Sequence, residues 1–308
     1  MDFEKFLKKK FFYILFIALI FFVIFYLFFF VINGKKKIEH TKFFFVDSPY
    51  PAKWHYLHRN NSHFKKKEVK CPENKNVILI LGQSNAGNHV KSKYYNTEGL
   101  INFYLGKCYV LSEPVKGATG HLKSITSAIA SKLINKKNYI FINNSWSGTT
   151  ILDWASNRDS SLTLFSIKEL KSIHSIGNTL KYVIWIQGES DSKNFGNLNI
   201  NQAPPFVQTY GYENYYFEAF KILKEKLTSS LQTNDVTFIV AQSTICNSIR
   251  NKVLNIQQIK LSTFKNIFTL SVPDNLDNFY RYDGCHLNEY GVEKISSEIS
   301  DLINNLDL

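Results

Sequence analysis

Short apolar runs alternate with longer stretches of mixed polarity from about residue 76 to the end of the chain. The runs that predict strands are 77–81, 108–111, 139–143, 182–186, 236–241 and, as an edge strand, 267–272. Helix-like stretches lie near 121–135, 214–230, 251–264 and 289–305. Continuous apolar runs of this length are typical of strands buried on both faces. Their alternation with helices predicts a parallel sheet that is covered by helices on both faces.

A longer apolar segment precedes this pattern. Residues 11–32 are 22 consecutive residues without a charge. As a helix they would extend about 33 Å, enough to cross the hydrocarbon core of a bilayer. Because no small-residue cleavage motif follows, we interpret the segment as an uncleaved signal anchor. The prediction is a cytoplasmic terminus (1–10), a transmembrane helix (11–32), a stalk or lead-in (33–75) and a catalytic domain (76–308).

Lysines on both sides of the predicted span leave its orientation open. Lys5 and residues 8–10 precede the span, whereas residues 35–37 and Lys42 follow it. The positive-inside rule therefore favours neither direction. Our hypothesis is a cytoplasmic N-terminus and an extracytoplasmic catalytic domain, which agrees with the activity argued below.

The composition indicates a globular, basic protein, with 44% hydrophobic residues, 20% charged residues and a net charge of +12. A basic balance can indicate nucleic acid, an anionic membrane or an acidic polymer as partner. Several lysines cluster around the predicted span, and no zinc-finger spacing, basic heptad or RNA-binding motif accompanies them. We therefore expect no nucleic-acid partner and interpret the charge as a solvated surface that flanks a membrane.

A candidate nucleophile follows the first strand of the domain. The strand ends in the sequence GQSNAG at residues 82–87. Ser84 at such a strand-to-helix turn projects its hydroxyl over the carboxyl edge of the sheet, where α/β proteins bind ligands. The backbone N–H groups that follow can bind an oxyanion. An ordinary turn is the alternative interpretation of this motif alone.

Two further strands end in polar sequences. Gly148 follows the strand at 139–143, and its N–H can serve as a second oxyanion donor. Gln187, at the mouth of the strand at 182–186, can direct its amide N–H at the same oxyanion. Glu189 and Asp191 come soon after Gln187, and buried structural acceptors are the alternative interpretation of both carboxylates.

An Asp-x-x-His motif lies near the C-terminus, at Asp283 and His286. Within a turn, this spacing places the carboxylate on imidazole Nδ1 and leaves Nε2 to accept the proton of a serine. A surface loop pair is the alternative. The chain order of Ser84, Asp283 and His286 favours a catalytic triad.

Four blocks together carry a resemblance to a known family: GQSN (82–85), SGTT (147–150), WIQGESD (185–191) and DGCH (283–286). The set resembles the SGNH hydrolase superfamily and, within it, the sialate O-acetylesterase-type carbohydrate esterases. The resemblance covers about residues 76–305. Gln187 replaces the Asn of the superfamily's name, as it does in this carbohydrate-esterase branch. Ser147 replaces the first glycine of the second block.

The resemblance implies a three-layer α/β/α, flavodoxin-like domain with a parallel sheet. It further implies Ser84 as nucleophile, His286 as general base and acid, and Asp283 as its orienting carboxylate. The oxyanion hole would comprise the N–H groups of Ser84 and Gly148 and the side chain of Gln187. No metal and no organic cofactor are implied. Candidate substrate-binding residues in or beside the blocks are Gln83, Asn85, Trp146 and Glu189. Trp146 and Trp154 can stack on a sugar ring, with core packing as the alternative.

The four cysteines have no metal-ligand spacing, so they predict either two disulfides or reduced thiols. Cys246 follows the strand at 236–241, and Cys285 lies inside the Asp-x-x-His motif. Both should therefore lie at one rim of the site, and we expect a disulfide between them. Cys71 with Cys108 is the second expected pair.

Three functions remain open on the sequence. The first is a membrane-anchored serine esterase that removes O-acyl groups, such as acetyl, from a glycan. The second is a glycan O-acetyltransferase, in which a sugar hydroxyl replaces water as the acceptor of the same acyl-enzyme. The third is a membrane-tethered carbohydrate-binding module without catalysis, which the intact triad argues against.

Overall fold

The computed structural model describes residues 65–155, 161–195, 199–231, 235–271 and 277–308. Within these ranges, eight strands form one mixed sheet that is covered by helices. The predicted cytoplasmic terminus, the predicted span and most of the predicted lead-in lie outside the described residues. No helix in the described part of the chain is long and apolar enough to cross a membrane.

The elements are numbered in chain order. The strands are β1 (Glu68–Val69), β2 (Asn76–Gly82), β3 (Ile101–Tyr104), β4 (Lys107–Val110), β5 (Tyr139–Asn143), β6 (Thr179–Ile186), β7 (Thr237–Ala241) and β8 (Ile267–Leu270). The α-helices are α1 (Thr126–Lys132), α2 (Ile151–Ala155), α3 (Ser161–His174), α4 (Glu189–Phe195), α5 (Pro205–Tyr210), α6 (Tyr215–Leu231), α7 (Lys252–Lys260) and α8 (Glu289–Leu306). The predicted strands and helices are present, whereas β1, β3 and helices α2 to α5 were not predicted.

The sheet has the strand order β1-β4-β3-β5-β2-β6-β7-β8. The five strands β5-β2-β6-β7-β8 pair in parallel. In chain order they read 2-1-3-4-5, which is the flavodoxin-like order. The prediction of a wholly parallel sheet is wrong at one edge, because β4 is antiparallel to both β3 and β1.

The antiparallel edge arises from a tight hairpin between β3 and β4. Leu105 and Gly106 form its two-residue loop with φ of 49° and 75°. Positive φ at both central positions is the condition for a turn that matches the twist of the paired strands. The Glu169 carboxylate holds this turn by accepting the Leu105 N–H at 2.9 Å. The hairpin therefore extends the sheet beyond β5 without a helical crossover.

Alternate residues of the central strand β2 enter two separate cores. Val77, Leu79 and Leu81 pack into one core with residues of α2, α3 and α6. Ile78 and Ile80 pack into the other core with residues of α1 and α8. Because successive side chains of a strand point to opposite faces, the sheet lies between two helical layers.

A charged cluster fastens α8 to α1 and to the segment before β3. Glu293 accepts from Tyr95 Oη at 2.8 Å, pairs with Lys93 at 3.0 Å and contacts the Lys132 ammonium. Partial burial raises the pKa of Glu293, but these hydrogen bonds outweigh it and lower the pKa from 4.5 to about 2. The carboxylate is therefore more stable as an anion in the folded protein than in the unfolded chain.

Replacing Glu293 by Gln tests this cluster. Because the pKa of Glu293 is lower in the folded protein, its carboxylate stabilises the fold at pH values above the unfolded pKa of 4.5. This stabilisation is lost as the pH falls towards the folded pKa of about 2. Because the side chain is 38% exposed, we expect a loss of only about 1 kcal/mol near neutral pH. The free energy of unfolding, measured with urea, should therefore fall less steeply with decreasing pH in the variant than in the wild type. The matched control is Glu298→Gln, which removes only an i,i+4 pair with Lys294; equal effects of both substitutions would contradict the assignment.

Candidate active site

The turn after β2 carries Ser84 to the carboxyl edge of the sheet, between β2 and β6. Gly82 has φ of 130°, and a Cβ there would lie 2.0 Å from the Ile186 carbonyl oxygen. Only glycine permits this close approach of the two strands. The Gln83 N–H then donates to the same carbonyl at 3.0 Å. The position is the switch point at which ligands bind in sheets of this order.

The backbone around Ser84 leaves two donors open. The N–H groups of Ala86 and Gly87 donate back to the Gln83 carbonyl, and Gly87 also donates to the Ser84 carbonyl at 3.0 Å. In the described part of the chain, the N–H groups of Ser84 and Asn85 have no acceptor. A turn that closes on itself and leaves successive N–H groups unpaired has the features of an anion-binding turn.

Asp283 orients the imidazole of His286 from within the same short turn. Its Oδ2 lies 2.6 Å from His286 Nδ1, and its Oδ1 accepts the N–H groups of Cys285 and His286 at 3.0 and 2.7 Å. Partial burial raises the pKa of Asp283, but the hydrogen bonds from the His286 side chain and from both N–H groups lower it overall. The carboxylate is therefore ionised at neutral pH, and Nε2 is the nitrogen that it leaves available.

Asn85 joins the turn of Ser84 to the turn of His286. Its side-chain Oδ1 accepts the Leu287 N–H at 3.1 Å, and its Nδ2 donates to the Cys285 carbonyl at 3.4 Å. The residue that follows Ser84 thus binds the residues on both sides of His286. The Ser84 turn and the Asp283–His286 turn, about 200 residues apart in sequence, are thus brought to one edge of the sheet.

Two disulfides have the partners that the sequence analysis expected, Cys246 with Cys285 and Cys71 with Cys108. The first joins the segment after β7 to the turn of His286. The Asn247 N–H donates to the Gly284 carbonyl at 2.9 Å beside it. The second disulfide joins the segment between β1 and β2 to β4. The Cys246–Cys285 disulfide therefore fixes the loop that carries His286, the proposed base.

Two aromatic rings stack on the imidazole of His286. The ring centroid of His89 lies 5.7 Å away and that of Tyr282 lies 5.9 Å away, with interplanar angles of 20° and 23°. Burial, followed by the charges of His286 and His121, lowers the pKa of His89 to about 4. His89 is therefore neutral at pH 7 and adds no positive charge beside the base. Sequence reasoning missed both rings, since neither lies in a recognisable motif.

Two buried charged side chains, Glu189 and Arg281, bind the loops on either side of the site. Glu189 Oε1 accepts from Thr244 Oγ1 at 2.8 Å and from Asn85 Nδ2 at 3.1 Å. Arg281 Nη1 donates to the Cys285 carbonyl at 2.6 Å. Burial lowers the pKa of Arg281, and the charge of Glu189 opposes that shift. Within the described residues, Glu189 Oε2 and Arg281 Nε and Nη2 are buried without a hydrogen-bond partner.

The loop after β5 brings Gly148 alongside the Ser84 turn. The Trp146 N–H donates to the Gly82 carbonyl at 2.8 Å, so the two segments run side by side. Gly148 has φ of 77°, and a Cβ there would meet no atom within 4 Å. Its N–H has no acceptor in the described residues. The Gly148 N–H is therefore available as a donor for an oxyanion.

Gln187 differs from its predicted placement. Its side chain is fully buried, and its amide donates to the Thr149 carbonyl at 2.9 Å and to the Asp191 carboxylate. Its Oε1 accepts from Tyr216 Oη at 3.0 Å. Both amide hydrogens are therefore committed to internal acceptors in place of the expected oxyanion. Asp191 is fully buried and accepts the Ile151 N–H at 3.0 Å, which agrees with the second interpretation, a buried structural acceptor. Burial raises its pKa to about 8.

The four candidate substrate-binding side chains are almost completely buried. Gln83, Asn85, Trp146 and Glu189 are each 3% exposed or less. Trp146 and Trp154 belong to the core between the sheet and helices α2, α3 and α6, which agrees with the core-packing alternative. The accessible positions near the Ser84 and His286 turns are instead His89, Ser147, Gly148 and residues 282–286.

Comparison with known proteins supports the fold. No family model and no curated protein matches the chain. The chain is similar to a protein of known structure from Arabidopsis thaliana, with 18% identity, a TM-score of 0.59 and coverage of 75% of this chain and 98% of that chain. It is also similar to a carbohydrate acetylesterase from Xanthomonas citri, with 14% identity, a TM-score of 0.47 and coverage of 73% of this chain and 54% of that chain. A carbohydrate esterase family 3 protein from Talaromyces cellulolyticus has 11% identity, a TM-score of 0.46 and coverage of 75% and 97%. The first similarity shows a shared fold, a mixed α/β sheet between helices.

Replacing Asn85 by Ala tests the link between the two turns. The substitution leaves the buried Leu287 N–H without its acceptor and removes two donated hydrogen bonds. We expect the free energy of unfolding to fall by about 2 kcal/mol, measured by urea denaturation. The matched control is Asn96→Ala, whose exposed side chain bonds only the nearby Glu98 N–H. A change no larger than that of the control would show that Asn85 does not hold the loop.

Proposed function

We propose that the chain is a serine esterase that removes an O-acyl group, such as acetyl, from a carbohydrate. Ser84 is the nucleophile, His286 the general base and acid, and Asp283 the orienting carboxylate. The observation that carries the proposal is the joined pair of turns. The Asp283–His286 pair has a 2.6 Å contact, and Asn85 ties its loop directly to the residue beside the serine.

The proposed reaction has two steps. Ser84 Oγ attacks the ester carbonyl while its proton passes to His286 Nε2, and the sugar oxygen leaves with that proton. Water then attacks the acyl-Ser84 ester, again giving a proton to His286, and the carboxylic acid and free serine are released. The anionic Asp283 stabilises the imidazolium that forms in both steps. The neutral ring of His89 does not compete with this charge.

The oxyanion of each tetrahedral intermediate is proposed to bind backbone donors. The N–H groups of Ser84, Asn85 and Gly148 are the candidates, because they have no acceptor in the described part of the chain. Loss of one such donor typically costs about 3 kcal/mol of barrier. The amide of Gln187 is committed to Thr149 and Asp191 instead, so it acts by fixing the end of β6 beside the site.

The four sequence blocks are the basis for proposing a carbohydrate substrate and membership of the SGNH family. GQSN, SGTT, WIQGESD and DGCH resemble the sialate O-acetylesterase-type branch, in which the corresponding enzymes act on O-acetylated sugars. The flavodoxin-like strand order supports the same superfamily. The rings of His89 and Tyr282 and the exposed loop at Gly148 provide the surface on which a sugar ester would rest.

Hydrolysis of p-nitrophenyl acetate by the full chain tests the triad. Ser84→Ala should lower kcat by about 10⁴-fold or more, because no other group supplies the attacking oxygen. The matched control is Ser175→Ala, an exposed residue beyond α3 whose Oγ bonds only the Ser172 carbonyl. Residual activity of the Ser84 variant close to that of the control would overturn the mechanism. Acetyl transfer to an added glycan that outpaces acetate release would favour the transferase alternative.

We further propose that residues 11–32 anchor the protein in a membrane and that the catalytic domain is extracytoplasmic. The uncharged 22-residue segment supports the anchor. Two disulfides in one domain support an oxidising compartment, since such bonds are rare in reducing cytosol.

Thiol alkylation in native membranes tests this location. Non-reduced peptides should contain Cys246 linked to Cys285 and Cys71 linked to Cys108, because all four cysteines are paired in the structure. Protease added to intact cells should also remove the domain at 76–308. Alkylated cysteines together with a protected domain would place it in the cytoplasm, and protein reduced before alkylation provides the control for labelling efficiency.

A further inference from the structure

Helix α7 has an inverted pattern of polarity. Its buried face is largely polar, with Asn255, Gln257 and Gln258 each 5% exposed or less. Its outward face is apolar, with Val253, Ile256 and Ile259 exposed at 45%, 64% and 51%. A surface helix of a globular domain normally has the opposite arrangement. An exposed apolar row of this kind indicates a binding surface.

The buried polar face fixes the rotation of the helix. Gln258 donates to the Gln187 carbonyl at 2.8 Å and accepts the Ser243 N–H at 2.8 Å. Gln257 accepts the Tyr216 N–H at 2.8 Å. Turning the isoleucines inward would leave these backbone groups buried without partners, at a cost of about 1–3 kcal/mol each. The apolar row is therefore held outward by the network beneath the proposed active site.

The charged residues of α7 and of the segments that adjoin it in sequence are all basic. The sequence has no acidic residue between Asp235 and Asp274. The basic residues in that interval are Arg250, Lys252, Lys260 and Lys265, and all four are exposed. Ile249, which is 37% exposed, extends the apolar row towards the active site. We name Ile249, Val253, Ile256 and Ile259 the apolar ridge.

We propose that the apolar ridge docks the catalytic domain on an anionic lipid membrane. Apolar side chains inserted at the headgroup boundary and basic residues beside them are the two features that interfacial binding requires. The inference rests on the proposed N-terminal anchor, which would keep the domain close to a bilayer. Residues 33–64 lie between that anchor and the described domain, and fully extended they reach about 100 Å, so the tether permits docking through any face.

Docking through this ridge would bring the catalytic rim to the membrane. Ile249 and Cys246 exchange backbone hydrogen bonds at 3.0 and 3.2 Å, and Cys246 is disulfide-bonded to Cys285, next to His286. The ridge therefore begins at the loop that holds the base. This arrangement suits an O-acylated glycan that is attached to, or lies close to, the lipid surface.

Fluorescence quenching by brominated lipid tests the docking in the full chain, reconstituted in nanodiscs through its own N-terminal segment. Ile256→Trp places a fluorophore on the ridge. The matched control is Tyr94→Trp, since Tyr94 is 83% exposed and its neighbour Tyr95 packs in the core on the other face of the sheet. With brominated phosphatidylcholine and phosphatidylglycerol, the added emission of the Ile256 variant should be quenched and that of the Tyr94 variant should not.

Charge dependence gives the second measurement. Adding Lys252→Gln to the Ile256→Trp variant should lower the docked-to-free ratio by about fivefold, and high salt should lower it for both. Equal quenching of the Ile256 and Tyr94 variants, or none in either, would overturn the proposal. Cross-linking of two chains through α7 without quenching would also overturn it and assign the ridge to a second copy.

Hydrolysis of p-nitrophenyl acetate is measured in the same discs, so that the two proposals fail separately. Ile256→Asp should abolish docking and leave hydrolysis of this soluble ester unchanged. Chains that hydrolyse the ester but do not enter discs would overturn the anchor and the docking together, while the triad would stand. Chains that dock but do not hydrolyse the ester would support the docking proposal and overturn the proposed esterase activity.

Discussion

The side chain of Asn85 is the interaction on which the proposed active site depends. One amide binds the residues before and after His286 and also reaches the buried Glu189. Because its donors and its acceptor are all engaged and the group is buried, the position of the imidazole loop follows from that of the Ser84 turn. The disulfide at Cys285 then restrains the same loop from its other side. The geometry of the proposed triad is thus set by groups that have no part in the proposed reaction.

A second constraint is the buried polar layer below the strand ends. Gln187 binds Thr149 and Asp191 through its amide, and Gln258 binds its carbonyl oxygen. In a low-dielectric interior such a network stabilises only when its members are satisfied. It therefore fixes the ends of β5 and β6 relative to each other. The same network explains why polar residues that follow a strand need not face a substrate: their partners lie inside the protein.

The sequence was most informative where one local property decides the structure. Strands β5 and β6 were predictable because residues buried on both faces must be continuously apolar. The β3–β4 hairpin was not, because a leucine with φ of 49° occupies a turn position that favours glycine or asparagine. At the site, Ser84 and the Asp283–His286 turn have local signatures. His89 does not, because only tertiary packing brings it to the imidazole loop. The choice between a substrate contact and a buried acceptor for Gln187 also depends on partners distant in sequence.

These constraints give different roles to the backbone donors and to the accessible residues around the site. Nearby side-chain amides are occupied internally, as those of Asn85 and Gln187 are, whereas the N–H groups of Ser84 and Gly148 lack acceptors in the described residues. Backbone donors cannot rotate away, so an oxyanion site built from them is already organised before substrate binds. The selectivity of the proposed esterase must then come from what surrounds this fixed centre. That surrounding is the accessible rim of His89 and Tyr282, whose rings stack on the imidazole, together with the loop that leads to the apolar ridge.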